Sequence, residues 1–273
     1  MVATKSTLIS SAVVNRAFSK QSLSYDAIDK ENRVLQDMRQ QVYDHVSAFI
    51  KTRSRILELN AGTGIDATHF VRQGHTVHAT DLSDGMIKQI ENKIIQHQLT
   101  GQLTCQQLSY DQLDTLEGRT FDYIFSNFGG LNCIDDLSKV TKDLSKLLTS
   151  DGYVTFVIMP PIYLWELVGI FKGHGKQAFR RLHKNGVIAH LEGEYFKTYY
   201  FSLSQIKKAF GSKFKFIQSE GLCALSPPPS RGDFPLKHPA LYKSLCKMDS
   251  LVRSSFPFNR WADHIIVTFQ YTR

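Results

Sequence analysis

The sequence has no apolar run close to the ~20 residues of a membrane span, no internal repeat and no low-complexity tract. Cysteine is scarce. The four residues, at 105, 133, 223 and 246, have no metal-ligand spacing, so no metal site is expected. Cys105 and Cys133 fall in or beside expected core strands and read as buried free thiols of a reducing, cytoplasmic compartment. The first twenty residues contain no Asp or Glu, and they also lack a secretory apolar region and cleavage site. Residues 1–17 are therefore read as a disordered tail. Long basic blocks with interleaved aromatics are missing too, despite a net charge of +8. The one local basic cluster is Lys172 to Lys176 with Arg180 and Arg181, and its plain reading is solvated surface. Neither a nucleic-acid partner nor a membrane is expected. A chain of 273 residues with 42% hydrophobic content suits one large domain over 18–273 better than two independent ones.

What is present is concentrated between Arg55 and Asp81. A short apolar run, Ile56 to Leu59, carries one carboxylate, Glu58. It leads through Asn60, Gly62 and Gly64 into a helical pattern from Asp66 to Val71. Strand, glycine turn and helix N-terminus follow in that order. Glycine lets the backbone turn sharply and come close to a ligand, and a helix start offers unpaired N–H groups. A second strand, Thr76 to Asp81, ends in a carboxylate seventeen residues past Gly64. There it can accept hydrogen bonds from two adjacent ribose hydroxyls. The pair of signals reads as a nucleoside-binding βαβ unit. Gly62-x-Gly64-x-x-Ala67 also fits a loose dinucleotide fingerprint, so a nicotinamide-dependent reductase stays open as an alternative.

Glu58-Leu-Asn-Ala-Gly-Thr-Gly64, Asp81-Leu82-Ser83 with Met86 opening the next helix, and Phe121-Asp-Tyr-Ile-Phe-Ser-Asn127 as a fourth strand together resemble the class I S-adenosylmethionine-dependent methyltransferase family. The resemblance runs in order from about Tyr25 to Gly221 and is strongest over 55–90. The chain departs from the family's first motif at Asn60, usually glycine; Asn tolerates left-handed backbone better than most residues. The resemblance implies an α/β fold: a Rossmann-like, seven-stranded, mostly parallel sheet with an antiparallel last strand and helices on both faces. It also implies S-adenosyl-L-methionine as cofactor and S-adenosyl-L-homocysteine as product. It places Tyr25 over the cofactor, where a ring face attracts a sulfonium, and Met86 against adenine, with Leu82 as a further cofactor contact. A polar residue ending strand three, in Ser109-Tyr110-Asp111, would meet the adenine amino group. Arg39, off the apolar stripe of a helix read from Glu31 to Lys51, is a candidate for the cofactor carboxylate. Asn127, Phe128 and Gly129, beyond strand four, should face the methionyl part and the reacting methyl. Methyltransferases acting on base amines in nucleic acid commonly carry Asn/Asp-Pro-Pro-aromatic there; Asn127-Phe-Gly-Gly has no such prolines.

Two stretches exceed what the core fold needs. Residues 160–200, rich in aromatics, and 224–262, opened by Pro227-Pro-Pro229, read as insertions forming a lid over an enclosed, partly apolar substrate pocket. Trp165, Arg180, Arg181 and Tyr195 are its candidate substrate contacts. Methyl transfer from a sulfonium is an in-line displacement that needs alignment, exclusion of water and, for a hydroxyl acceptor, a base. Histidine is the default base, and His264, beside Asp263, and His190 are the candidates. The sequence thus reads as an enzyme methylating a small organic acceptor, oxygen slightly favoured over nitrogen or carbon. An RNA methyltransferase and a non-catalytic cofactor-binding protein also stay open.

Overall fold

All four residues from Ile56 to Leu59 are buried in β1 (Arg55–Leu59). Strand side chains alternate between faces, so β1 must be covered on both sides, as in a parallel sheet. The computed structural model describes residues 5–168 and 179–272. The further strands of the main sheet are β2 (Thr76–Asp81), β3 (Leu103–Gln107), β4 (Phe121–Ser126), β5 (Leu148–Ile158), β8 (Phe214–Leu222) and β9 (His264–Tyr271). Between them, β6 (Val187–Leu191) and β7 (Glu194–Thr198) make a separate antiparallel hairpin. The seven-stranded sheet runs β3-β2-β1-β4-β5-β9-β8. Every pairing is parallel except the two made by β9. This is the expected sheet with its antiparallel last strand.

One apolar layer packs Ile56, Val77, Phe125 and Val157 against α3 (Arg33–Ser47), α4 (Ile65–Arg72) and α5 (Asp84–Gln96). The other packs Leu57, Leu59, Ile124 and Phe156 against α6 (Ser138–Leu147) and α8 (Leu203–Phe210), with the short α7 (Leu164–Val168) between them in the chain. Helix starts follow the polar residues in front of them. Ser83 accepts from Met86 N–H at the head of α5, and Ser202 with Gln205 forms a reciprocal capping box on α8. The helix expected from Glu31 begins instead at Arg33, because Asn32 leaves helical geometry and caps α3 by accepting from Val34 and Leu35 N–H. A short helix, α2 (Tyr25–Glu31), precedes it.

The disordered tail expected over 1–17 needs correction from Lys5 onward: Lys5–Gln21 is a helix, α1. It lies across the start of α5. Ser19 Oγ donates to Asp84 Oδ1 (2.6 Å) and accepts from Gly85 N–H (3.1 Å). On its other side, Arg16 and Lys20 pair with Glu194 of the β6–β7 hairpin (3.2 and 3.0 Å), and Phe18 meets Phe196 with ring centroids 5.8 Å apart. Acid-free sequence is compatible with a helix whose partners are Asp84 and Glu194. A Cβ at Gly85 would lie 2.7 Å from Ser19 Cα, a backbone contact that cannot yield locally. Gly85→Ala is therefore expected to lift α1, at a cost of ~1–3 kcal/mol of docking, and to speed trypsin cleavage after Arg16 and Lys20 by about tenfold. Cleavage at the parent rate would mean that α1 does not rest there.

Among the described residues no helix is long and apolar enough to cross a membrane. Also among them, no group of three or more His, Cys, Asp or Glu side chains is placed to hold a metal ion. Cys105, Cys133, Cys223 and Cys246 are free thiols.

Candidate functional site

The sheet order reverses direction of travel at β1 and β4, which opens a crevice beyond their carboxyl ends. The turn after β1 builds its floor. Asn60, Gly62 and Gly64 all have positive φ (46°, 56° and 79°), so the two glycines stand where other side chains are strained. A Cβ at Gly62 would meet nothing within 4 Å; the space in front of it is open for a ligand. Gly62 N–H donates to Asp81 Oδ2 (2.9 Å) and Ser83 N–H to Oδ1 (2.8 Å), which fixes the carboxylate at the tip of β2. The crevice is lined by Tyr25, Asn60, Gly62, Asp81, Leu82, Met86, Tyr110, Asn127 and Phe128, with Val14 and Phe18 of α1 closing it from above. Past Leu82 and Tyr110 it widens into a recess of ≈ 460 Å³, flanked by Ser109, Asp111 and the hairpin.

Burial raises the Asp81 carboxyl to about 6, against the opposing pull of its backbone donors. Ribose hydroxyls donate best to the ionised form. Nucleoside affinity is therefore expected to be level above pH 7. It should weaken as pH falls through 6, approaching about tenfold per unit, because protonation then competes with binding. Calorimetry with S-adenosylhomocysteine at pH 5 and pH 8 reads this directly, and equal affinities would remove Asp81 from the ribose. Beneath the turn, Glu58 is buried with Oε2 unpaired; burial, with Asp66 close by, holds its carboxyl well above the usual range.

Arg39 differs from expectation. Its guanidinium is buried and already bonded to Asp66 and, at 2.7 Å, to Asp29; it also lies 4.7 Å from the Phe128 ring centroid. Asp66 accepts in addition from Tyr43 Oη (2.6 Å) and Asn127 Nδ2 (2.9 Å). Arg39 is thus mainly the strut of a buried polar network, and only its Nε is left unpaired beside the crevice. Asn127 is held from both ends, since its carbonyl accepts from Asn60 Nδ2 (3.1 Å). Phe128 is left-handed (φ 44°), and Gly129 turns away to donate to Val157 O (3.0 Å), so Gly130 lines the crevice in its place.

A second cavity of ≈ 670 Å³ shares Tyr25 and Phe128 with the crevice. Trp165, Tyr163, Met159 and Pro228 to Arg231 form its walls, with His264 and Asp263 on one side. His264 starts β9, and because β9 runs antiparallel to β5 its first residue sits at the same edge as the ends of β4 and β5. Its Nδ1 bonds Asp263 Oδ2 (2.9 Å), its ring stands edge-on to Phe128 (6.0 Å between centroids), and its Nε2 has no partner. Gly129 leaves room there: a Cβ would lie 3.2 Å from Nε2. Burial pushes the Asp263 carboxyl up, but His264 and Arg181 outweigh it and hold it at about 2. The carboxylate therefore stays charged and orients the imidazole.

Other expected contacts are placed differently. Arg181 is buried and spent on Asp263 Oδ1 (3.0 Å) and Glu166 Oε1 (2.9 Å), while Arg180 pairs with Glu166 (2.8 Å). Both line the cavity, but their charge is already balanced, so neither stands ready for a substrate anion. His190 is exposed on β6 and stacks on Tyr195 (4.6 Å). It does not share the cavity with His264, and Tyr195 faces the recess instead. The basic stretch 172–176 lies outside the described residues. Asp29, Asp66 and Tyr163 were not singled out from sequence; Asp66 finds its partners 23 to 61 residues away, and no local pattern marks any of the three.

The residues present fit S-adenosylmethionine. Asp81 and the open face of Gly62 suit a ribose, and Leu82 and Met86 give an apolar wall for adenine. Comparison with known proteins agrees. A family model described as a methyltransferase domain matches residues 56–152. The Malonyl-(acyl-carrier protein) O-methyltransferase of Halorhodospira halophila is 26% identical over 175 residues, which is 63% of this chain and 55% of that protein. The chain thus spans about half the length of the curated relative it matches. A putative S-adenosylmethionine-dependent methyltransferase from Listeria monocytogenes superposes with a TM-score of 0.57 at 15% identity, over 85% of this chain and 96% of that one. A (4+2)-cyclase superposes with a TM-score of 0.55 at 11% identity, over 85% and 81%. The matched residues are the half of the sheet that builds the crevice, and over them the chain is similar to methyltransferase domains, with the fold of S-adenosylmethionine-dependent methyltransferases around them.

Proposed function

We propose that this protein transfers a methyl group to an oxygen of a small organic acceptor held in the ≈ 670 Å³ cavity. One observation carries the reading. Crevice and cavity meet at Tyr25 and Phe128, and beside that junction stands a histidine with one nitrogen fixed by a carboxylate and the other unpaired. Tyr163 and Trp165 of the first insertion and Pro228 to Arg231 of the second act as the lid over the cavity.

Bound S-adenosylmethionine supplies an electrophilic methyl on a sulfonium that loses its charge as the carbon–sulfur bond breaks. The chain does the rest. Tyr25 and Phe128 hold the two reactants face to face and keep water out. Asp263 keeps His264 Nδ1–H pointing at itself, so Nε2 is free to take the hydroxyl proton as the oxygen–carbon bond forms. The imidazolium that results is stabilised by Asp263, which Arg181 holds in place. The name of the curated relative, an O-methyltransferase, supports oxygen as the attacking atom. The fold alone does not, since it also carries a cyclase. The proposed setting is the cytoplasm.

The test is mass spectrometry of hydroxylated small molecules incubated with the protein and S-adenosylmethionine bearing a deuterated methyl. Oxygen-linked label in a product, dependent on Asp81, supports the reading; cofactor binding with no labelled product from any acceptor class removes it. A carboxylate acceptor needs no proton removed, so a rate independent of His264 would reassign the oxygen to a carboxylate.

A further inference from the structure

The stretch 234–262 carries an outward face that nothing in the site uses. Within it, α9 (Phe234–Lys237) and α10 (Pro239–Val252) follow directly on the cavity wall at Pro228 to Arg231. Phe234 packs edge-on against Trp165 with centroids 6.2 Å apart, so the helices are anchored to that wall. Large apolar side chains point away from the protein: Leu236 is 84% exposed, Leu251 74%, Phe256 66%, Leu241 52% and Met248 50%. At about 100° per residue, the exposed Leu241, Met248 and Leu251 share roughly 80° of the α10 surface, with the half-buried Leu245 and Val252 on its inner side. Tyr242 and Asp249 point inward.

Charge on this face has one sign. Residues 234–262 hold five Lys and Arg and one acid, Asp249. That acid is buried and accepts from Leu225 and Ser226 N–H (2.8 and 2.9 Å). Lys237 and Arg253 are balanced by Asp233 and Glu220. Lys243 and Lys247 have no carboxylate within ion-pair distance among the described residues, and they lie on the arc next to the apolar stripe. Arg260 sits over the exposed Phe256 ring, 5.5 Å from its centroid.

We propose that the outer face of α9 and α10 docks on an anionic lipid surface, with the cavity mouth beside it. A second copy is a poor occupant, because pairing this face with itself would bring its cations together. The exposed apolar residues form a stripe bordered on its outer side by Lys247 and Lys243. That is the pattern of a helix lying in the headgroup region, where apolar side chains enter the acyl boundary and lysines meet phosphate. The inference is independent of the methyl acceptor and of catalysis, since binding is read without cofactor.

The experiment is sedimentation of the 273-residue chain with vesicles of phosphatidylcholine alone and of phosphatidylcholine and phosphatidylglycerol in equal parts. The parent is expected to pellet with the anionic vesicles only, less so as salt rises. The variants Lys243→Glu with Lys247→Glu, and Met248→Ser with Leu251→Ser, should each lower the partition coefficient by roughly tenfold with unchanged melting. Absence from the anionic pellet, or retention by both variants, overturns the proposal. Polyglutamate captured as tightly as the anionic vesicles, with no loss in the Met248/Leu251 variant, also overturns it, since charge alone would then be at work and an acidic protein would be the better occupant.

Discussion

His264→Ala is expected to slow methyl transfer by about two to four orders of magnitude, the range for removing a positioned general base, while cofactor affinity stays at the parent value. The split follows from placement. His264 lines the cavity and is absent from the walls of the crevice, which is built by Asp81, Gly62 and Tyr25. Asp263→Asn should slow the reaction as well, because an amide in place of the carboxylate no longer fixes the Nδ1–H tautomer. It also leaves Arg181 with one balancing acid, Glu166, so its loss will include some stability. His190→Ala should change nothing, being exposed on the hairpin. The measurement is kcat from labelled-product formation beside Kd from calorimetry. A His264→Ala enzyme with an undiminished rate removes the base; one that fails to bind the cofactor places the histidine in the wrong pocket.

The crevice was legible in the sequence because its signal is local. Strand, glycine turn, helix start and Asp81 lie within 27 residues, from Arg55 to Asp81, and each carries the residue type its backbone geometry demands. The antiparallel last strand was legible through the resemblance. Its consequence for His264 comes from topology: reversing β9 brings its first residue to the edge where the parallel strands end. Histidine spacing holds no such information, which is why His190 stood beside His264 as a candidate. The N-terminal helix was missed for a similar reason. Its stabilising carboxylates, Asp84 and Glu194, are 65 and 174 residues away from Ser19 and Lys20, so local composition reads as tail. The face on α10 was missed because the periodicity of Leu241, Leu245 and Met248 is that of a helix packed against a core, and only the exposure of Leu241, Met248 and Leu251 shows that an apolar face is turned outward.

Arg39→Met is expected to destabilise the fold by about 3–5 kcal/mol at pH 7, the range for breaking a buried ion pair from one side. The sequence suggested a cofactor contact, for which the loss would be one of affinity alone; the structure predicts a loss of the scaffold. Burial pushes the Asp66 carboxyl up, but Arg39, Tyr43 and Asn127 outweigh it and hold it below the ordinary value. Since its folded-state value is depressed, Asp66 contributes stability above the unfolded value that is lost as pH falls through the folded one. Without the guanidinium, burial would dominate and raise the carboxyl above its unfolded value. The sign then reverses: the variant's deficit is largest at neutral pH and shrinks as pH falls and Asp66 takes up a proton. Adding Asp66→Asn to Arg39→Met removes the orphaned charge while keeping an acceptor for Tyr43, so the double variant should be more stable at pH 7 than the single one. Asp29 keeps its bond from Gln36 Nε2 (2.7 Å) in either case. Urea denaturation at pH 7 and pH 5 separates the possibilities. A deficit that does not depend on pH, or a double variant no better than the single one, would mean that Arg39 acts through packing on Phe128 and that the Asp66 charge is not what it holds in the fold.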